Sequence, residues 1–148
     1  MYAKILSAGI LFLCLNPACA AQQAAKEVPT AAPVITASYA APEIRMGETW
    51  KIYLNAYDPD GEMTRIFGTV EQPGQLYPVS VTRVKRENAK GFSGYLYLST
   101  APPAYPVNGM TITLTIQVQD RSGNLSLPIS FPLTIHNLAV QVPPPPWV

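Results

Sequence analysis

The sequence has few cysteines and a single histidine, and this shortage excludes several kinds of site. Both cysteines, Cys14 and Cys19, lie within the first twenty residues. If processing removes those residues, the rest of the chain has no disulfide, no thiolate nucleophile and no cysteine-ligated metal. His136 then has no cysteine with which to form a metal site or a catalytic dyad.

Signatures of catalysis are also missing. The serines lie in predicted strands or turns, and none has the setting of a nucleophile elbow. Paired carboxylates occur only at Asp58 and Asp60, within a turn that solvent would surround. We therefore predict that the chain is not an enzyme, and we assign it no catalytic residue and no cofactor apart from the calcium considered below.

Charge is sparse and nearly balanced, with ten Lys and Arg residues against nine Asp and Glu residues. Removal of the first twenty residues would delete Lys4 and leave nine residues of each sign. A net charge near zero argues against nucleic acid as a partner, because nucleic acid is captured largely through bulk positive charge.

The first twenty residues have the layout of an export signal. Lys4 provides the positive start, residues 5–15 form an apolar stretch, and Ala18-Cys19-Ala20 has the small residues of a cleavage site. The apolar stretch is shorter than the roughly 18–20 residues that span a membrane. We predict a signal peptide over residues 1–20 and an exported chain, periplasmic or extracellular, without a transmembrane span. A lipid anchor on Cys19 is the alternative, although Asn16 stands where such signals usually have a leucine-like residue.

Composition divides the remaining chain into three parts. Residues 21–33 are rich in Ala, Gln and Pro without a period, which is typical of a flexible leader. Residues 34–137 form the predicted folded domain. Residues 138–148 contain four consecutive prolines, which predict an extended polyproline tail.

Seven segments of the predicted domain have the composition and turn boundaries of β-strands. The strongest signal is a hairpin in which residues 110–120 and 125–135 alternate apolar and polar side chains around an Asp-Arg-Ser-Gly-Asn turn. This alternation predicts that Leu125 and Leu127 share the core face with the apolar residues that follow them. The other candidate strands are residues 34–39, 49–57, 63–70, 77–85 and 92–99.

Seven short strands at this spacing predict an all-β fold, a seven-stranded antiparallel immunoglobulin-like sandwich. Trp50, Ile52 and Leu54 alternate along the second strand, so we expect them in the core, with a packing role for Trp50. Pro128 and Pro132 cannot donate hydrogen bonds to a neighbouring strand. The last strand is therefore expected at a protected sheet edge.

Two motifs carry a resemblance to a known group of domains. In WKIYLNAYDPDGEM a strand runs into Asp-Pro-Asp-Gly, and in IQVQDRSGNLS another strand runs into an Asp-x-x-Gly-Asn turn. Over about residues 34–135 the chain resembles bacterial immunoglobulin-like and cadherin-like extracellular domains. The resemblance implies a spacer, an adhesive unit or a binding accessory. We expect an exported binding or structural module whose partner is a protein or a cell-surface polysaccharide.

Acidic turns provide a candidate calcium site. In the proposed layout, the loops at 58–62, 87–90 and 121–124 meet at one end of the sandwich. Calcium takes roughly six to eight oxygen ligands, and cadherin-like domains use comparable acids. The alternative is that these side chains bond the local backbone of their turns, which requires no ion. The candidate ligands are Asp58, Asp60, Asp120 and Asn124, with Glu62 and Asn88 beside them.

Tyrosines on two predicted strands provide a candidate ligand surface. Tyr53 and Tyr57 share the outward register of one strand, and Tyr95 and Tyr97 lie on another. A flat aromatic surface would suit a carbohydrate ligand, which gives the alternative of a carbohydrate-binding module. Tyrosine is also a strong strand former that is often half buried, which would explain the same residues without a ligand.

One short basic run, Arg83, Lys85, Arg86 and Lys90, follows the fourth predicted strand. It could meet anionic polysaccharide or lipid headgroups. A solvated strand end is the favoured interpretation, because the run is short and Val84, Glu87 and Asn88 interrupt it.

Overall fold

The structure is a computed structural model that describes residues 31–100 and 109–146. The predicted signal peptide and the lipid anchor considered for Cys19 lie outside the described residues. Eight strands and one 3-10 turn, Arg86–Asn88, form in the described part of the chain. The strands are β1 (Val34–Ala40), β2 (Glu43–Ile44), β3 (Thr49–Tyr57), β4 (Met63–Gln72), β5 (Gln75–Arg83), β6 (Gly91–Ser99), β7 (Met110–Asp120) and β8 (Ile129–Ile135).

The strands form two sheets around a shared core. One sheet has three antiparallel strands in the order β1-β3-β6, and the other has five strands in the order β2-β8-β7-β4-β5. The chain passes from one sheet to the other five times: between β1 and β2, β2 and β3, β3 and β4, β5 and β6, and β6 and β7. Within the described residues, the pairing of β2 with β8 is the one parallel pairing. This arrangement confirms the predicted all-β sandwich.

Alternation along the central strands builds the core. Trp50 has no exposed surface, and its indole Nε1 donates to the carbonyl oxygen of Ala41 at 2.8 Å. The packing role predicted for Trp50 is confirmed. Burial of each aliphatic side chain of the core contributes roughly 1.5–3 kcal/mol to the stability of the fold. The alternating buried residues are Trp50, Ile52, Leu54 and Ala56 of β3 and Ile112, Leu114, Ile116 and Val118 of β7.

The prediction that Leu125 and Leu127 face the core is wrong. They are 44% and 86% exposed, and β8 begins only at Ile129. Ser126 is buried instead: its hydroxyl accepts from the Val118 N–H at 2.9 Å and donates to the Leu127 carbonyl at 3.1 Å. Because the hydroxyl satisfies the backbone of β7 and Pro128 lacks an N–H, the hairpin pairing is irregular until β8 starts.

The five-stranded sheet has β8 near one edge, as the prolines predicted. The two-residue β2, which the sequence did not reveal, covers only the end of β8: Thr134 N donates to the Pro42 carbonyl at 2.9 Å, and His136 N donates to the Ile44 carbonyl at 3.2 Å. Pro132 lies two residues before Thr134 in the same register, so its missing N–H falls on the uncovered side of β8. An additional strand therefore finds no donor at this position.

Candidate functional site

Three acidic loops lie at the same end of the sandwich, as the layout predicted. The β3–β4 loop contacts the β5–β6 loop, because Asp58 N donates to the Lys90 carbonyl at 2.9 Å and Met63 N donates to the Ala89 carbonyl at 3.0 Å. Met63 pairs with Asp120, where the β7–β8 loop begins.

Asp58 is completely buried at this end and organises its own turn. Its carboxylate accepts from the backbone N–H of Asp60 at 2.9 Å and from that of Glu62 at 3.1 Å. Gly61 has a φ of 72° and completes the turn by donating to the Asp58 carbonyl. The Asp60 carboxylate is exposed and accepts from the Ala31 N–H at 2.7 Å.

Asp120 is the second buried carboxylate of these loops. Its two oxygens accept from the backbone N–H of Asn124 at 2.8 Å and from the Asn124 side-chain amide at 2.7 Å. The Thr64 hydroxyl donates to the Asp120 carbonyl at 3.1 Å, which ties this turn to β4. These bonds are the local backbone role that aspartate and asparagine serve in tight turns.

The described residues contain no group of three or more His, Cys, Asp or Glu side chains that could hold a metal ion. The carboxylates of Asp58 and Asp120 point into their own turns. Calcium binding by Asp58, Asp60, Asp120 and Asn124 stays a prediction, which melting with and without calcium can test.

A row of tyrosines crosses the outer face of the three-stranded sheet. Tyr53 pairs with Tyr39 of β1 on one side and with Tyr95 of β6 on the other. The ring centroids are 6.4 Å apart for Tyr39 and Tyr53 and 5.7 Å apart for Tyr53 and Tyr95, with tilted planes. Such spacing suits favourable aromatic contacts, so the rings hold one another in place.

Two further residues extend this row, and we call Tyr39, Tyr53, Tyr95, Tyr97 and Lys51 the tyrosine strip. The Lys51 ammonium lies 5.2 Å from the Tyr95 ring centroid, within cation–π range. Lys51 also pairs with Tyr97 across β3 and β6. Tyr95 is 55% exposed and Tyr97 is 73% exposed, so this end of the strip is open to a ligand.

The strip differs from the predicted surface at both ends. Tyr57 faces the same side but lies four residues from Tyr53 along β3, opposite Gly91, with Asn55 between the two tyrosines on that face. Tyr39 was not predicted, because a bulge between Ile35 and Ala37 interrupts the alternation of β1. Of the four predicted tyrosines, the structure therefore brings Tyr53, Tyr95 and Tyr97 to one end of the face.

The C-terminal segment lies along the Tyr39 end of the strip. Beyond Ala40, β1 no longer covers the edge of β3, and the side-chain amide of Gln141 takes its place. Gln141 Nε2 donates to the Thr49 carbonyl at 3.2 Å, and its Oε1 accepts from the Lys51 N–H at 3.2 Å. The Tyr39 hydroxyl donates to the Val142 carbonyl at 3.2 Å.

Pro143 and Pro144 continue from these bonds and form one wall of a groove of about 190 Å³. The other walls are Tyr39, Tyr53 and Lys51 of the strip and the neighbouring Ala41. The described part of the predicted polyproline tail therefore contacts the domain.

A second opening lies between the end of β5 and β6. This cleft has a volume of about 340 Å³ and an apolar floor that includes Leu54, Ile66 and Phe92. Arg83 and Lys85 line it, whereas Arg86 and Lys90 of the same basic run do not. Arg83 and Lys85 of the basic run therefore lie in the cleft wall, and Arg86 and Lys90 lie outside it in the loop that follows.

No helix of the described residues is long and apolar enough to cross a membrane. No protein-family model matches the sequence, and no curated protein matches it at a significant level.

The two sheets define an immunoglobulin-like β-sandwich, so the fold that the resemblance implied is confirmed. A point mutant of the SrpA adhesin from Streptococcus sanguinis is 21% identical with a TM-score of 0.50, and the match covers 74% of this chain and 58% of that one. Fibronectin(III)-like modules of Clostridium thermocellum CbhA are 19% identical with a TM-score of 0.43, over 76% and 50% of the two chains.

A third solved structure matches over the whole of its length. The PKD domain of a peptidase from a Thermoplasmatales archaeon is 14% identical with a TM-score of 0.49, and the match covers 74% of this chain. At these identities the likeness is one of fold. The chain spans about half of the matched adhesin and fibronectin(III)-like chains.

Proposed function

We propose that this chain is an exported, non-catalytic module that binds a cell-surface partner through the tyrosine strip. The observation that carries the proposal is the in-register row of Tyr39, Tyr53 and Tyr95, with Tyr97 and Lys51 at its open end. The row lies on a sheet face whose opposite side is filled by the core, so the rings are mounted on a rigid support.

Tyr95 and Tyr97 are exposed on this sheet face, and Tyr39 and Tyr53 are half-buried beside them. Tyrosine and tryptophan present a large apolar body and a hydrogen-bonding tip at low entropic cost, which is why they are enriched at binding surfaces. Lys51 lies beside them with its ammonium over Tyr95, and this adds a hydrogen-bond donor. The strip can therefore stack on an apolar face and bond polar groups at its rim.

A cell-surface polysaccharide is the ligand class that this strip fits best. Sugar rings have apolar faces that stack on tyrosine and hydroxyls that bond Lys51 and the phenols. A protein partner is the second class, because similar tyrosine clusters are found in protein interfaces.

A glycan array separates these ligands. The full chain is expected to bind one or more glycans, and the signal is expected to fall for Tyr53→Ala and Tyr95→Ala. Tyr77→Ala is the matched control, since Tyr77 is 44% exposed on the other sheet. Glycan binding that both strip variants retain would exclude the strip as the glycan-binding surface. An absence of glycan binding would direct the search to a protein partner.

The proposed function requires export, because a surface partner is reached only outside the cytoplasm. The predicted signal over residues 1–20 is the feature on which export rests. Fractionation of cells that express the full chain tests it: the processed protein is expected in the periplasm or medium, and retention of an unprocessed chain in the cytoplasm would contradict it.

A further inference from the structure

The C-terminal segment meets the domain through two kinds of recognition. Gln141 presents an amide oxygen and an amide nitrogen to Thr49 and Lys51, which is how a backbone peptide unit would pair with the free edge of β3. Immediately after it, Pro143 and Pro144 line a groove whose other walls include Tyr39 and Tyr53. Aromatic-lined grooves are the usual site for proline-rich peptides, because a polyproline segment is already extended.

We propose that this groove is a peptide-binding site for a proline-rich segment that begins with glutamine, and that it can take the same segment from a second copy of the chain. The residues that recognise the peptide are Tyr39, Thr49, Lys51 and Tyr53. The proposal stands on the contacts of residues 141–144 and does not rest on the polysaccharide function.

A second copy can supply the segment because the C-terminal segments of two copies are identical. Any C-terminal segment that fits the groove within one molecule fits the same groove in another. The three bonds of Gln141 and Val142 are exposed, so the segment can leave the groove without opening the core. Within one molecule it competes at an effective concentration in the millimolar range, and exchange between copies is therefore favoured by high local density.

The outward side of the segment also suits exchange. Ala139 is buried against the domain, whereas Leu138, Val140 and Val142 are all exposed. Transfer of the segment keeps its inward contacts and leaves the exposed side chains on the outside in both arrangements.

Amide hydrogen exchange of the full chain tests the proposal, because the Lys51 N–H is the group that Gln141 protects. In Gln141→Ala the Lys51 amide is expected to exchange roughly tenfold faster, since the variant removes its acceptor. A synthetic peptide of residues 138–146, added at about 1 mM, is expected to restore protection. Gln119→Ala on the other sheet is the matched control and is expected to leave Lys51 unchanged.

Three results would overturn the proposal. One is unchanged exchange of Lys51 in Gln141→Ala, and another is failure of the peptide to restore protection. The third is equal restoration of Lys51 protection by a peptide that itself carries Gln141→Ala, which would mean that the site does not recognise the glutamine. Each of these results leaves the glycan binding of the tyrosine strip separately measurable, so the two proposals fail independently.

Discussion

Asp120 and Asn124 are joined across the β7–β8 turn by hydrogen bonds in both directions. Asp120 N donates to the Asn124 carbonyl at 3.1 Å, and the Asp120 carboxylate accepts from both the backbone and the side-chain amide of Asn124. Removal of the Asp120 carboxylate takes this acceptor from two amide donors of Asn124. We therefore expect the loss of this side chain to weaken the turn.

Asp120→Ala is expected to lower the free energy of unfolding by roughly 1–3 kcal/mol, because two part-buried amide donors of Asn124 lose this acceptor. Urea denaturation measures the change. Asp60→Ala is the matched control, since Asp60 is exposed and accepts only one described bond, from Ala31. The control is expected to shift the free energy by no more than about 0.5 kcal/mol, and equal effects of the two variants would contradict the structural role of Asp120.

Trp50→Phe is expected to destabilise the sandwich by roughly 2–4 kcal/mol. The variant leaves the buried Ala41 carbonyl without its donor and opens a cavity beside it. Thermal or urea unfolding measures the loss. Tyr97→Phe, which changes an exposed ring, is expected to have little effect, and a Trp50→Phe domain as stable as the parent would show that the indole bond contributes nothing.

Pro132→Thr is expected to promote self-association. The new N–H would lie on the uncovered side of β8, where a strand from another molecule could accept from it. Sedimentation velocity over a range of concentrations detects the association, and the free energy of unfolding is expected to change by less than about 1 kcal/mol. Ser130→Thr adds no N–H and serves as the control; a monomeric Pro132→Thr chain at high concentration would argue against edge protection.

Melting in calcium and in chelator tests the ion site predicted for the acidic loops. Because the carboxylates of Asp58 and Asp120 already accept backbone donors, the midpoint is expected to be the same in both solutions. An ion that binds only the folded state, at a concentration a hundred times its dissociation constant, would raise the free energy of unfolding by about 2.7 kcal/mol. A clear rise in millimolar calcium that Asp120→Asn abolishes would instead establish the site.

Alternation was sufficient to predict the central strands. The bounds of β3 and β7 agree with the sequence, because each has one buried face and a strict period of two. The same pattern failed at residues 125–128, where the buried side chain is the serine and the leucines are exposed. The apolar pattern shows only which residues are apolar. It does not reveal a hydroxyl that takes the place of a backbone donor or acceptor.

The candidate site was predictable only in part. Tyr53, Tyr95 and Tyr97 could be assigned from register, but the bulge in β1 hides the alignment of Tyr39 with them. Gln141 could not be assigned at all, because its role depends on β1 leaving the edge of β3 after Ala40. Contacts that depend on where one strand ends are set by the tertiary fold, which a local pattern does not contain.

The tyrosine strip is the central claim, and titration of a glycan identified on the array tests it most directly. Isothermal titration of the full chain against Tyr95→Ala is expected to show at least a roughly tenfold loss of affinity in the variant, the cost typical of a residue central to a binding surface. Tyr77→Ala is expected to bind like the parent. Equal affinities for the parent and Tyr95→Ala, with both chains folded, would contradict the account.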